Sequence, residues 1–476
     1  MQDTTTRTLH KCLKVFISAF LLTISLTAAA YAQIKAVTYF GDQWPVNFLN
    51  SEHADAESDF AAIRRDGFNT VIYCVPWSEV QPDTSSTSFN ETALSKLDSM
   101  LSRAEAAGLN IMLRLGYTWD YSGAPESSSR FSSIFYDDSI RSAWRRYAAR
   151  VYSLASSHPG FAGAFITWED FWSGLSGSDA ASYRRFDERI SSLLQETQGV
   201  FPGLSLECRL DRDPYYSGNA VRYYDHQATF SCADAPFSCA MLSVSMGWAD
   251  GTVLDPGNAA SKSAENLSRF MAGAGKPVFI DQFLYMETTP GYERLAKLPP
   301  SSVNAYLAAM GQVFASSQAG YGLWTYRDYA DSIVYNPEFG LHDKGWGLSG
   351  GAELIEDGGN HRMHLPEGAS VSQNLQGRGF ASSENTKVSF LVFSGSDTTV
   401  TVNVSGVIRT ADIHPGMQTV LLDMGSQVCG SLMIRSAGDI QIDNIKVYSH
   451  VTGGGIYDIN NAPGPYLSGI RAMNAR

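Results

Sequence analysis

Along the first two-thirds of the chain, short apolar runs alternate with segments of helical period, and each alternation predicts a strand followed by a helix. IKAVTYF (34–40) leads into ADAESDFAAIRRDG, NTVIYCV (69–75) into NETALSKLDSMLSRAEAAG, and NIMLRLG (110–116) into DDSIRSAWRRYAARVYSLASS. AGAFITW (162–168) precedes DAASYRRFDERISSLLQET, LSLECRL (204–210) precedes an irregular Tyr-rich stretch, and CAMLSVSM (239–246) precedes SAENLSRFMAGAG. KPVFIDQF (276–283) with SSVNAYLAAMGQVFASSQ, and then YGLWTY (321–326), complete eight strand candidates. Three helical segments close on glycine just before the next strand, at Asp66-Gly67, Ala107-Gly108 and Ala274-Gly275. Such endings suit helix C-caps in βα repeats. Eight short strands with helices between them predict an α/β chain folded as a (β/α)8 TIM barrel rather than a doubly wound sheet.

After residue 335 the period changes. Gly, Ser, Thr and Val become frequent, and KVSFLVFSG, TVTVNVSG, QTVLLDMG and DIQIDNIKVYS read as strands with turn residues between them. That pattern predicts a C-terminal β-sandwich. The expected domains are a barrel over 33–335, a sandwich over 336–450 and a tail over 451–476, the tail being either a packed extension or a loose end. At the other terminus, Arg7, Lys11 and Lys14 precede VFISAFLLTISL, and Ala30-Tyr31-Ala32 has the small-x-small form of a cleavage site. Residues 1–32 are therefore expected to be a signal peptide, with mature protein from Gln33, export to the periplasm or the medium, and no membrane span thereafter.

Charge narrows the partners. The chain carries a formal −13; loss of Asp3, Arg7, Lys11 and Lys14 with the signal removes a net +2 and leaves −15. An acidic surface disfavours nucleic acid and anionic lipid, which need basic patches. Aromatic residues make up 12% of the chain, and Tyr and Trp combine an apolar face with a hydrogen-bonding edge, which suits sugars as well as large cores. Once Cys12 is removed, Cys74, Cys208, Cys232, Cys239 and Cys429 remain, an odd set that cannot be a complete disulfide framework. Cys232 and Cys239 flank a short loop and could pair; Cys74 reads as a buried thiol. No Cys or His spacing resembles a zinc site.

In such a barrel the functional residues lie where strands end and βα loops begin. Strand two ends in Trp77, Ser78 and Glu79. Strand three carries Arg114 and leads to Trp119 and Asp120, and strand four ends Trp168-Glu169-Asp170. Strand five carries Glu207, Arg209 and Asp211, and strand six reaches Trp248. Strand seven ends Asp281-Gln282 with Glu287 beyond, and strand eight gives Trp324, Tyr326, Arg327 and Asp328. Carboxylates recur beside tryptophans. Glycosidic cleavage needs a protonated acid at the leaving oxygen and a second carboxylate at the anomeric centre; surrounding rings raise the acid's pKa by excluding water. The plainer alternative for Glu169 is a rim carboxylate bonded to Arg114 or Arg209.

VPWSEVQPD (75–83) followed by FNETALSKLDSMLSRAEAAGLNIMLRLG (89–116) resembles the second and third βα units of the retaining glycosidase clan of (β/α)8 barrels, which contains cellulases and β-galactosidases. The matching features are a Trp-containing W-x-x-x-x-P turn, an L-D helix and an R-x-G strand end. The resemblance runs over about residues 33 to 330 and extends to members from bacterial exopolysaccharide systems. It implies that Glu169, at the end of strand four, is the acid/base. Trp168 stands where the clan carries Asn. Strand seven reads KPVFIDQF where the clan has KPV-x-I-T-E-F, so Gln282 takes the nucleophile's place. Strand residues alternate sides, so Asp281 should point away from the mouth unless a bulge re-aims it.

Three accounts follow. Asp281 or Glu287 serves as nucleophile; the substrate's own acetamido group attacks, with Gln282 or Asp170 orienting it; or the site binds without cutting. Candidate catalytic residues are thus Glu169, Asp281 and Glu287. Candidate substrate-binding residues are Trp77, Glu79, Arg114, Trp119, Trp168, Asp170, Trp248, Gln282 and Trp324. The C-terminal segment, from NPEF through GW and GGA to IQIDNIKVY, resembles the jelly-roll carbohydrate-binding modules attached to many glycosidases. The expected activity is hydrolysis of O-glycosidic bonds in a polysaccharide, without metal or organic cofactor. A non-catalytic polysaccharide-binding protein is the main alternative, and a scaffold for polymer export a further one.

Overall fold

The computed structural model describes residues 33–43, 49, 55–116, 128–167, 171, 180–209, 235–286, 294–357, 360–375, 385–426 and 429–476. The expected signal segment, residues 1–32, lies outside the described residues. Eight parallel strands close in sequence order: β1 (Lys35–Thr38), β2 (Thr70–Val75), β3 (Asn110–Leu115), β4 (Phe161–Ile166), β5 (Ser205–Arg209), β6 (Ser238–Ser243), β7 (Val278–Leu284) and β8 (Gly320–Leu323), with β8 pairing back onto β1. All eight coincide with the apolar runs. The reason is two-sided burial: Ile34, Ala36, Ile72, Met112, Phe165, Phe237 and Phe279 fill the barrel's lower interior. Val37, Val71, Tyr73, Val75, Leu113 and Ile280 join the core under the helices.

The helices in that outer layer are α1 (Ala56–Arg65), α2 (Trp77–Val80), α3 (Glu91–Ala106), α4 (Ser128–Ser133), α5 (Asp138–Ala155), α6 (Ala180–Gln198), α7 (Pro256–Ala274) and α8 (Val303–Ser317). Local chemistry starts several of them. Asn90 accepts from Ala93 N, Asp137 from Ser139 N, and Asp255 from Gly257 N and Asn258 N with Pro256 at the first turn. The three helix-end glycines have φ of +90° (Gly67), +70° (Gly108) and +65° (Gly275), the left-handed turn into the next strand.

The tail is packed, and it completes the barrel. Helix α9 (Leu467–Asn474) buries Leu467, Ile470 and Met473. It lies against α8 closely enough that a Cβ at Gly311 would be 3.1 Å from Met473 Cα. On its other side Arg471 Nη2 pairs with Asp66 Oδ1 at 2.7 Å, and Asn474 Nδ2 donates to Asp66 O at 2.9 Å, just past the end of α1. Tyr321 of β8 donates to Asn474 Oδ1 at 2.8 Å. Helix α9 thus takes the position of the helix that follows β8, between α8 and α1. The sandwich is an insertion between β8 and that helix, so the barrel unit is β1–β8 and α1–α8 together with α9.

The inserted domain has two five-stranded sheets. One runs β10 (Glu353–Asp357), β11 (Asn360–Leu365), β18 (Ile440–Tyr448), β13 (Thr386–Ser394) and β16 (Gly416–Gly425) in that spatial order. The other runs β15 (Val407–Ile413), β14 (Thr398–Val404), β17 (Ser431–Ser436), β12 (Ser370–Asn374) and β9 (Gly347–Ser349). Alternate residues such as Val388, Phe390 and Val392 fill the space between them. The sandwich is tied to the mouth side of the barrel: Lys446 Nζ pairs with Asp42 at 3.0 Å, and Gln43 Nε2 donates to Asn444 Oδ1 at 3.0 Å.

Asp443 of β18 is buried and accepts from Asn444 N at 2.7 Å and Asn360 Nδ2 at 3.1 Å. Burial first, and then the Glu338 carboxylate, push it up to about 7. A carboxyl whose folded value lies above its unfolded one is stabilising while protonated, and that stability is lost as pH rises from about 4 towards 7. Asp443→Asn keeps the shape without the charge. It should melt several degrees above the parent at pH 8 and level with it at about pH 3.5, below the unfolded value; thermal melts at both pH values check this, and a lower melting temperature at pH 8 would refute it.

Candidate functional site

Beneath the barrel mouth lies a polar layer built from consecutive strands. Arg114 (β3), Glu207 (β5) and Asp281 (β7) are only 4%, 1% and 3% exposed. Arg114 Nη2 donates to Thr167 Oγ1, just past β4, at 2.9 Å. Cys239 of β6 donates its thiol to Asp281 Oδ1 at 3.2 Å. Burial holds the Asp281 carboxyl above the usual range, while hydrogen bonds from Glu207 and Cys239 and the charge of Arg114 pull the other way. Two acids and one guanidinium thus share the barrel interior, which keeps the buried charge compensated.

The thiol of Cys239 is held far up by burial and by the charges of Asp281 and Glu207. Cys239 is a free, buried cysteine. The pairing with Cys232 considered from loop length is therefore corrected: residue 239 is inside strand β6 and its sulfur faces the barrel interior. Cys232 lies outside the described residues. Cys74 is buried within β2, as read from its strand.

Strand β7 contains a bulge of the kind that re-aims Asp281. Pairing with β6 steps from Ala240↔Ile280 to Met241↔Gln282, and pairing with β8 from Ile280↔Tyr321 to Phe283↔Leu323. Ile280 and Phe283 both pack under the helices, Phe283 with ring centroids 6.1 Å from Tyr306 and 5.2 Å from Phe314. Outward residues are thus three apart rather than two, and Asp281 and Gln282 lie between them. Asp281 takes the buried layer; Gln282 stays half-buried. Gly322 of β8 makes room for this detour, since a Cβ there would be 2.8 Å from Asp281 O and 2.5 Å from Ile72 Cδ1.

The other candidates are dispersed. Trp77 is fully buried. Its Nε1 donates to Gln81 Oε1 at 2.8 Å, and its ring meets Trp144 edge-on at 5.3 Å, so it presents no face to a ligand. Glu79 is likewise occupied: Tyr335 Oη donates to Oε1 at 2.6 Å and Lys344 Nζ to Oε2 at 2.9 Å, which fastens α2 to the segment entering the sandwich. Trp248 is half-buried, and its Nε1 has no hydrogen-bond partner among the described residues. Trp119, Trp168, Glu169, Asp170 and Glu287 lie outside the described residues; β4 and its extension are described as far as Thr167.

Trp324 is half-buried at the end of β8, joined to Thr325 by a cis peptide bond, with its ring 5.5 Å from Phe40. It lines a niche with Tyr285, Asp328, Tyr329, Gly453 and Gly454. Sequence reasoning passed over this wall. Asp328 stood in the list of strand-eight polar residues without a role, and the run Gly453-Gly454-Gly455 is the one signal that the returning chain passes close to another backbone.

No protein-family description matches this chain. No curated protein matches it either. Solved structures do. An exo-β-1,4-mannosidase from Opitutaceae bacterium strain TAV5 is 17% identical, covering 62% of this chain and 53% of its own, with a TM-score of 0.46. This chain thus spans about half the length of that protein. A GH5_18 protein from Bifidobacterium longum subsp. infantis is 14% identical over 65% of this chain and 73% of its own, at 0.48. A protein described as an endoglucanase is 11% identical over 63% and 91%, at 0.41. The barrel assignment itself rests on the closed strand order.

Proposed function

We propose that this chain is an exported glycoside hydrolase acting on a polysaccharide, with Glu169 as general acid and base. The observation that supports this most is the closed, unbroken β1–β8 ring. In such a ring the ends of β4, β7 and β8 share one rim, and here that rim includes the half-buried Trp324. Glu169 follows Thr167 by two residues, and Thr167 is already anchored by Arg114. Protonated Glu169 would donate to the departing oxygen, and as a carboxylate it would then draw a proton from the incoming water. Asp281 is engaged in the buried layer, so the second role falls to Glu287, with the half-buried Gln282 a neutral hydrogen-bonding group at the clan's nucleophile position.

The test is hydrolysis of a panel of bacterial exopolysaccharides by the mature chain and by Glu169→Gln, Glu287→Gln and Asp281→Asn, read as new reducing ends. Glu169→Gln should lose about a hundredfold to ten-thousandfold in turnover, Glu287→Gln should lose at least as much, and Asp281→Asn should retain turnover. Identical product profiles from the parent and Glu169→Gln would remove Glu169 from the chemistry. A second reading, binding without cleavage, is favoured by Gln282 at the clan's nucleophile position. It predicts retention of the polymers by the parent with no new ends.

A further inference from the structure

The strands at the edges of the sandwich are β9 and β15 in one sheet and β10 and β16 in the other. An edge strand offers open N–H and C=O groups to any strand that meets it, and proteins guard such edges with short strands, charge or proline. Three of these edges are guarded. β9 has three residues, β10 reads ELIED, and β15 carries Arg409 and Asp412. β16 is different: it has ten residues, GMQTVLLDMG, with no charge and no proline before Asp423. Its outer-face side chains Met417, Thr419 and Leu421 are exposed, Met417 at 68% and Leu421 at 59%. Beside them on β13 are the half-buried Phe393, opposite Met417, and Leu391, opposite Thr419.

The backbone fixes which groups are open. Asp423 O turns away from β13 and accepts from Arg409 Nε at 3.2 Å. Backbone direction alternates along a strand, so the N–H and C=O groups of Met417, Thr419 and Leu421 face the same way. Among the described residues no strand pairs with that side of β16. We infer that β16 pairs antiparallel with β16 of a second copy of this chain, about a two-fold axis at Thr419, joining two five-stranded sheets into one of ten strands. In that register Thr419 meets Thr419, and Met417 and Leu421 meet Leu421 and Met417 of the second copy, each pair exchanging two backbone bonds. The ladder stops short of Asp423, whose carbonyl is already taken. A centre at Val420 would instead set Met417 against Asp423.

A second copy is the occupant because this edge is complementary to itself. The apolar side chains meet apolar ones twice, and the central threonines make a favourable cross-strand pair. Charge agrees. The chain carries a formal −13, so two copies repel except along an uncharged strip, and Gly416–Leu422 is one. At each end of the ladder Asp423 falls opposite Pro415 of the second copy, next to His414 rather than another carboxylate. A separate observation comes from the inner face. Gln418 Nε2 is buried without a hydrogen-bond partner. Across the axis the two Gln418 side chains are diagonal neighbours, a separation that long side chains span, so each amide can donate to the other. The pairing does not rest on the hydrolase reading.

The test is the molar mass of the whole chain from Gln33, by sedimentation over a concentration series, for the parent, Thr419→Lys and Thr419→Cys. The parent should reach the mass of two chains and no more, since a closed two-fold leaves no β16 edge. Thr419→Lys brings two like charges face to face at the axis, so its dissociation constant should rise about tenfold or more. Its far-ultraviolet circular dichroism should be unchanged, because residue 419 is exposed. Residues that exchange both backbone bonds have Cα atoms about 5.5 Å apart, within the span of a disulfide. Thr419→Cys should therefore give a covalent dimer on mild oxidation, which neither the parent nor Asp412→Cys on β15 gives; this readout remains should Thr419→Lys fail to fold. A parent that stays a single chain throughout would overturn the pairing, with or without a foreign strand bound. So would a Thr419→Lys dimer as tight as the parent's, or Thr419→Cys chains that do not cross-link.

Discussion

Ending the chain at His450 should abolish cooperative folding of the barrel, although every barrel strand would still be present. The removed segment buries Ile456, Tyr457, Tyr466, Leu467, Ile470 and Met473, each 7% exposed or less. At about 1.5–3 kcal/mol for each fully buried large side chain, their removal costs on the order of 10 kcal/mol, an upper estimate because unfolded chains already bury some of that surface. A domain of this kind is stable by about 5–15 kcal/mol in total, so the loss is of the same size as everything that holds the fold.

Hydrogen bonds go as well. Asp66 loses Arg471, Tyr457 and Asn474, and Asp59, buried under Tyr39 and Tyr326, loses Asn461. The expected result is an insoluble product, or one without a sharp thermal transition. A soluble 33–450 chain melting within a few degrees of the full one would show that α9 is an ornament rather than the eighth helix.

Asp281→Ala should cost about 3–5 kcal/mol, the usual scale for removing one partner from a buried ionic group. It deprives Cys239 of its acceptor, leaves Glu207 without the carboxyl it bonds, and takes a negative charge away from Arg114. It also loosens the bulge that separates Asp281 from Gln282. Asp281→Asn keeps the volume and one acceptor, so its cost should be near 1 kcal/mol.

The sign with pH is fixed by the raised carboxyl. The parent is favoured while residue 281 is protonated and loses that contribution as pH rises through its folded value, whereas Asn does not titrate. The gap between the parent and Asp281→Asn should therefore narrow from pH 4 upwards. Denaturant melts of both variants at three pH values check this. An Asp281→Ala protein as stable as the parent would mean that the layer carries no weight. An Asp281→Asn protein that melts like the parent but has lost all turnover would make residue 281 a reacting group.

Much of the architecture could be read because parallel strands inside a barrel are buried on both faces and so spell continuous apolar words. Val71, Ile72 and Val75 need no partner's identity to be recognised as strand, and Gly67, Gly108 and Gly275 announce helix ends by a backbone requirement that is purely local. The alternation of KVSFLVF similarly reports one buried face of a sheet. The bulge at Asp281 could be posed as a condition, since period-two alternation made it necessary for two neighbouring inward groups, but its presence depends on Gly322 some forty residues away.

What the tertiary structure alone decided is which groups meet. Trp77 and Glu79 carry the same local signature as mouth residues, yet Trp77 is enclosed by Trp144 and Phe131, and Glu79 is bound to Tyr335 and Lys344 from across the chain. Helix α9 has too few residues to be stable by itself; it forms because α8 and the end of α1 leave an apolar slot for it. Asp328 meets the Gly455 N–H only because the returning chain is laid beside it. Periodicity and caps are set by neighbours in sequence, but burial, charge pairing and the walls of a niche are set by neighbours in space, and those are chosen only when the chain closes.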